Sequence, residues 1–569
     1  MAISEMQQLP SWEQMQELTA AVRAITASMD ASTPEVLDES MGALLNGSNT
    51  TAVFYSWLAR AKQTEEDRYK LLVRFGRMLA GSCDSTYMVR KYDPSVSSDS
   101  ALTPMDDLAT KDKPRLYTEK DQQVPEWIDE DPMTWYVRAN ALSLADDTMD
   151  VKAIEGEDDF DVSGELAPVY SFTLALYVRE YGDGQYGYKS FRTKPAAGYE
   201  KRAEAIAPDG TRRVITWHPS FPGGLSSKGG LTSGAGLKPY NFASPVTGLQ
   251  KARITSPYEG EWSDQDTTWI LDMWQLRHWN LENSNVAEGC TNYNLQYQVA
   301  AAETGVKRVL LTAAQAAGFI VGSTVSVGDR GSNTNNDRGN AYMRNLADLV
   351  RITSIEEVTV SGTKYTAINL DISSAITTTA TTWVSTMPWY SGATEAIKGH
   401  KDGALISLTG GKGPIRIAGV EMMHGAYDIG LDPLYNVTMS EDGSKTIYAA
   451  KECKDSTKLS GSITADYTDT SVTGEYVKNA WNYVKKFAPN KKGILLPSMV
   501  GGSSAGWYKS AFNSAASAGV RAPWRFASLI SSGGAGLACG NGGLDSGWAY
   551  WHGRPRLSGA GKMRGELQA

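Results

Sequence analysis

Few residues in this chain are spaced as chemistry would need. Glu421, His424 and Asp428 fall within one eight-residue stretch of "PIRIAGVEMMHGAYDIGLD", close enough for an acid–base pair or a metal group. A turn closing two strands needs only Gly425 at that place, and the structural role is the reading adopted here. Many Asp and Glu pairs could serve a glycosidase, but nothing in one sequence selects a pair. No HExxH or Walker pattern occurs. The cysteines, Cys83, Cys290, Cys453 and Cys539, are far apart and form no CxxC, so neither a disulfide framework nor a thiolate metal site is expected. Cys539 reads as a small buried residue. The five histidines form no HxxxH, and His278 reads as a core or edge histidine. The acidic "EGEDDFD" lacks the D-x-D-x-D-G spacing of a calcium loop and reads as a solvated turn. No enzyme activity, cofactor or metal is expected.

The other chemistry is that of recognition. The tail reads "GGAGLACGNGGLDSGWAYWHGRPRLSGAGKMRGELQA" from Gly533 to Ala569, setting Trp548, Tyr550, Trp551, His552, Arg554 and Arg556 among glycines. Large rigid side chains supply contact area and small ones let the backbone follow a partner. Tyr550, His552 and Arg554 alternate with Trp551 and Gly553; on a strand, with Trp551 inward, all three would point outward together.

These residues need a scaffold, and 569 residues with 41% hydrophobic side chains and 55 glycines imply three or four globular domains with many turns. A net charge of −9 argues against nucleic acid as a partner. The N-terminus has no secretory signal and no 18-residue apolar run occurs, so membrane insertion is not expected. A site of action outside the cell would be reached by another route, such as release of a particle on lysis.

Residues 1–90 are predicted to hold helices. Met15, Leu18, Val22, Ile25 and Met29 make a short seam suited to a small oligomerisation stem, and a second helix spans Thr51 to Leu79. Residues 91–130 read as an extended, poorly packed connector. Residues 131–214 read as a β-rich domain with turns at Asp183-Gly184 and Asp209-Gly210. A glycine-rich loop near 218–241 lacks the phosphate-cradle spacing. Trp269, Trp274 and Trp279 sit in a core helix. Residues 305–388 read as a small inserted β-barrel with strands around Ser361-Gly362 and an exposed, mobile polar loop, "DRGSNTNNDRGN". The fold class is α+β.

Several segments together resemble the C-type-lectin-like domain of phage fibre proteins and of relatives of the formylglycine-generating enzyme. Gly419, Val420, Glu421 and Gly425 match its G-[IV]-E-x-x-x-G strand; Gly501, Gly502, Ser503, Ala535, Gly536, Arg556 and Ser558 match its ending. The resemblance covers 215–304 and 389–569, the barrel being the insert. It implies a non-enzymatic receptor-binding protein on the virion surface, a tail or head fibre, docked to other virion proteins through its N-terminal region and homo-oligomeric, with a trimer favoured. The partner would be a host-cell surface protein or polysaccharide. Such faces are often diversified by a retroelement that mutates adenines, which cannot create Trp. On that logic Trp524, Trp548, Trp551 and Arg556 are scaffold, and Phe526, Ser528, Ile530, Asn541, Asp545, Tyr550, His552 and Arg554 are ligand-contact positions. The enzyme relatives' cysteine pair and the calcium-lectin motifs are missing. A non-binding virion component and a polysaccharide depolymerase are the alternatives.

Overall fold

The computed structural model describes residues 85–558, apart from 114, 116, 119–126, 144–148, 157, 207–214, 398, 400 and 454. The predicted N-terminal helices and seam, Asp209-Gly210 and Cys83 lie outside these residues. The described chain is mostly β, with several sheets packed around two main helices.

The helix Asp264–His278 is the hub. Ser263 caps it and forms a capping box with Asp266, Asp264 and Asp266 sit in its first turn, and Arg277 and His278 close it. Those are the charges a helix dipole favours at each end. Every residue of this helix is buried, so its charged side chains must find partners inside the protein. Asp264 receives the Arg525 guanidinium in two bonds of 2.5 and 2.6 Å. Asp266 bonds His218 at 2.8 Å, and Arg277 and His278 both reach Asp402, at 2.6 and 2.8 Å. His278 is thus a core histidine held by Asp402 through its Nε2, and the tryptophans Trp269 and Trp274 are core as predicted.

The 91–130 region corrects the expectation of a loose connector. Tyr87–Tyr92 and Thr103–Asp106 are strands of a five-stranded antiparallel sheet with Tyr186–Arg192, Tyr177–Gly182 and Glu200–Lys201. The boundary expected at 90/91 therefore falls inside a strand. Leu102, Leu108 and Tyr117 enter the core, which a reading based on prolines and charge could not register. Likewise Ile215–Pro219 completes the four-stranded sheet of Val137–Ser143, Met149–Ile154 and Val169–Leu174, across the boundary expected at 214/215.

Residues 296–387 form a six-stranded antiparallel sheet with its own core, including Val309, Val325, Ile352, Ile368 and Val384. The Ala301–Leu310 bridge joins the chain leaving the first edge strand, Gln296–Gln298, to the other edge strand, Arg308–Leu311, so the edges are not left open. This sheet starts earlier than 305 because Gln296–Gln298 pairs with Thr382–Met387. Ser361 and Gly362, both at positive φ, make the hairpin turn the sequence announces.

The C-terminal third builds a seven-stranded mixed sheet. Tyr427–Ile429 pairs in parallel with Gly553–Pro555 and antiparallel with Trp524–Arg525. Gly553 is required there, since a Cβ would stand 2.5 Å from the Trp524 ring.

Candidate recognition site at the insert–tail junction

The tail splits into a buried part and an exposed part. Trp524, Phe526, Ser528 and Asn541 are buried. Phe526 meets Trp262 edge to face at 5.8 Å, and the Ser528 amide donates to the Ser531 hydroxyl at 3.0 Å. Three of the expected contact positions, Phe526, Ser528 and Asn541, are thereby corrected to scaffold. Their backbone enters or flanks the strands of the central sheet, a placement that small-residue composition does not reveal.

Arg554 is corrected as well. The predicted alternation requires one strand from 550 to 554, but Tyr550 to His552 form a turn and the strand begins at Gly553. Arg554 is fully buried and donates to the carbonyls of Gly223 (2.6 Å), Trp389 (2.9 Å) and Pro222 (3.3 Å). Burial pushes its guanidinium down to about 9, against the pull of Glu421 and Asp428. The glycine-rich loop therefore cradles an arginine of the C-terminal strand. Gly223 is indispensable to that approach, because a Cβ would lie 2.0 Å from the Pro555 carbonyl oxygen.

The Glu421, His424 and Asp428 group belongs to the same interior. Each is at most 1% exposed. Glu421 accepts from the Gly392 and Thr394 amides, and burial raises its carboxyl. Asp428 bonds His424 and Arg556, each at 3.0 Å. Burial lowers His424, and Arg556 together with His424 holds Asp428 low against its own desolvation. This is an ion network sealed from solvent, with Arg556 as scaffold, its guanidinium 4.4 Å above the Trp262 ring. Cys290, Cys453 and Cys539 are buried thiols, and burial raises Cys539 to about 12. No group of three or more metal-ligating side chains occurs among the described residues.

The exposed part of the tail gathers at the insert. Ile530 is 40% exposed and Trp548 46%, which corrects Trp548 from scaffold to surface. Asp545 is exposed and caps its own turn by accepting from the Gly547 amide at 2.9 Å. Tyr550 is half-buried, and its hydroxyl donates to Asp337 of the insert loop. Burial and that hydrogen bond raise the phenol to about 12. Trp551 points inward, and the Arg338 guanidinium lies 5.1 Å from its ring centroid. Arg338 is itself pinned by Asn294 and the Leu295 carbonyl. His552 packs edge to face on Tyr550 at 5.0 Å. Its Nδ1 is shut off from solvent with no hydrogen bond among the described residues, and burial lowers the imidazole to about 4.

The polar insert loop is therefore anchored, contrary to the expectation of a mobile one. Gly331 to Asn335 remain exposed, while Asp337 and Arg338 grip the tail. Together the loop, Ile530, Tyr550 and Trp551 line an open depression of about 460 Å³. The sequence reading missed the loop's half of this site, Asn335, Asn336, Asp337 and Arg338. Its one available signal was the density of Asn, Asp and Arg in a segment predicted to be exposed.

No helix among the described residues is long and apolar enough to cross a membrane. No protein-family model and no curated protein matches the chain.

Proposed function

We propose that this chain is a virion-attached binding protein, a phage tail or head fibre, that recognises a host-cell surface protein or polysaccharide through the insert–tail junction. The observation that carries this reading is the exposed pair Trp548 and Ile530 beside a depression bordered by Tyr550, Trp551 and Arg338. Tyr, Trp and Arg dominate binding energy where they are presented on a rigid support. Here the support is rigid on both sides, a core sheet and an anchored barrel loop.

The lectin-like resemblance of 215–304 and 389–569 supports the same reading. Under retroelement diversification, the variable contact set narrows to Ile530, Asp545, Tyr550 and His552, with Trp548 an invariant contact. A nucleotide sequence without a template repeat near the gene removes that part. The N-terminal region docks to the particle in this proposal, and the protein acts as an oligomer on the virion surface.

The test is binding of the purified full chain to intact candidate host cells. A Trp548→Ala/Tyr550→Ala variant with wild-type melting behaviour loses cell binding. Binding equal to wild type would overturn the assignment of this face.

A further inference from the structure

A cavity on a different part of the molecule combines charged and aromatic walls. In the strand Tyr87–Tyr92, Val89 and Lys91 turn inward, toward the helix Asp264–His278 and the segment 486–495. They border a cavity of about 180 Å³. A cavity of about 150 Å³ admits benzene, so this one accommodates a single six-membered ring.

The charges around the cavity do not cancel. Its lining holds four cations, Lys91, Lys189, Arg202 and Lys486, against three carboxylates, Asp93, Glu180 and Asp272. Glu180 and Asp272 are both occupied by Lys189 and Arg202. Asp93 is turned back to its own loop by the Ser95 amide and hydroxyl. Lys91 and Lys486 are left without an ion pair among the described residues. The Lys91 stem crosses Gly187, where a Cβ would lie 3.2 Å from its Cε, and its ammonium stands 5.6 Å from the Tyr508 ring centroid.

The remaining wall suits a hydroxylated ring. Tyr508 and Phe487 pack edge to face at 5.3 Å and offer an aromatic surface. Gln275, on the hub helix, adds an amide with no hydrogen bond among the described residues. An unpaired ammonium with an aromatic wall and a free amide matches a sugar ring that carries a carboxylate.

The geometry points to this cavity as a binding site for an acidic monosaccharide unit, a hexuronate, whose carboxylate pairs with Lys91. The site lies apart from the Tyr550 face and stands or falls independently of it.

The full chain is titrated with glucuronate and galacturonate by calorimetry, with glucose, benzoate and inorganic phosphate as comparison probes. A uronate binds, and each comparison probe binds at least about tenfold more weakly, as loss of a charge-assisted pair or of ring contacts requires. Lys91→Met weakens the uronate by about tenfold or more, and Lys91→Arg restores it. Failure of both uronates to bind, equal binding by any comparison probe, or indifference to Lys91→Met overturns the proposal.

A pH series on the unaltered protein covers the case in which Lys91→Met does not fold. Burial lowers the Lys91 ammonium to about 8, with Glu180 and Asp93 opposing that shift and Lys189 adding to it. Glu180 is held low and Lys189 high by their pairing, Arg202 is raised by Asp272 and Glu180, and Tyr508 is raised by burial. Asp272 and Lys486 complete the charges facing the cavity. Uronate affinity therefore holds below about pH 8 and falls above it as Lys91 loses its proton. Affinity that stays flat across that range overturns the proposal.

Discussion

Two clusters near the C-terminus use the same residue types and come to opposite uses. Arg554 and Arg556, with Glu421, His424 and Asp428, are sealed within the sheet and the glycine-rich loop. Tyr550, Trp551 and His552, with Asp337 and Arg338, meet at the surface between the tail and the insert. The division falls at Gly553, where the chain leaves its turn and enters the parallel pairing with Tyr427–Ile429. Residue chemistry sets what each cluster can bind. Access to solvent decides whether it binds another part of the chain or another molecule.

The sharpest way to break this contrast is to cut one ion pair of the sealed cluster. Arg556→Met strands Asp428 beside His424 without its guanidinium, and denaturant unfolding is expected to show a loss of about 3–5 kcal/mol. A loss below about 1 kcal/mol would mean that the interior admits water and the contrast fails.

The exposed cluster is expected to behave in the opposite way. Trp548→Ala alone weakens host-cell binding by about 2 kcal/mol, a factor of roughly thirty, as removal of an anchor does. Its unfolding free energy stays within about 0.5 kcal/mol of wild type, as for a surface substitution. A large stability loss would place Trp548 with the scaffold after all.

The hinge between the two behaviours is Tyr550. Tyr550→Phe removes the donor to Asp337 but keeps the ring, and a cost of about 1 kcal/mol is expected. Hydrogen exchange would report this as faster exchange in residues 331–340 and unchanged exchange in the central sheet.

The last test separates buried histidine from exposed charge by pH. Burial lowers His278 in the folded protein from the ordinary value of 6.5, despite its bond to Asp402. Below that value the unfolded chain binds the extra proton more readily, so the stability contributed by neutral His278 is present above about pH 6.5 and is lost as pH falls. The stability advantage of wild type over His278→Gln therefore shrinks on acidification, by up to about 1.4 kcal/mol per pH unit. Asp402 adds a loss at lower pH, since pairing with Arg277 and His278 lowers it to about 2 and its contribution fades between its ordinary value of 3.8 and there. A constant difference from pH 7 to 5 would remove His278 from the sealed class.

Local pattern alone carried much of the fold. The core helix with its tryptophans, the turns at Asp183-Gly184, Ser361-Gly362 and Gly425, and the strand, short helix and strand that open the insert all follow from periodicity, capping and glycine at positive φ. These are properties of a few consecutive residues, so consecutive residues reveal them. The aromatic and arginine content of the tail also pointed to the neighbourhood of the candidate site, and Ile530, Tyr550 and Trp551 line it.

Only the tertiary structure decided which tail residues face solvent. Arg554 differs from Tyr550 by its pairing with a strand more than a hundred positions earlier and by carbonyls of the glycine-rich loop, more than three hundred positions away. The loop of the insert became half of the site because Asp337 lies against Tyr550 across 213 positions. Among the described residues Lys91 is left without an ion pair because Glu180 and Asp272 are taken by Lys189 and Arg202 and Asp93 is held by Ser95. Composition fixes which charges and rings a chain carries. Which of them remain unsatisfied, and so free for a ligand, is settled by contacts between distant segments that no local pattern encodes.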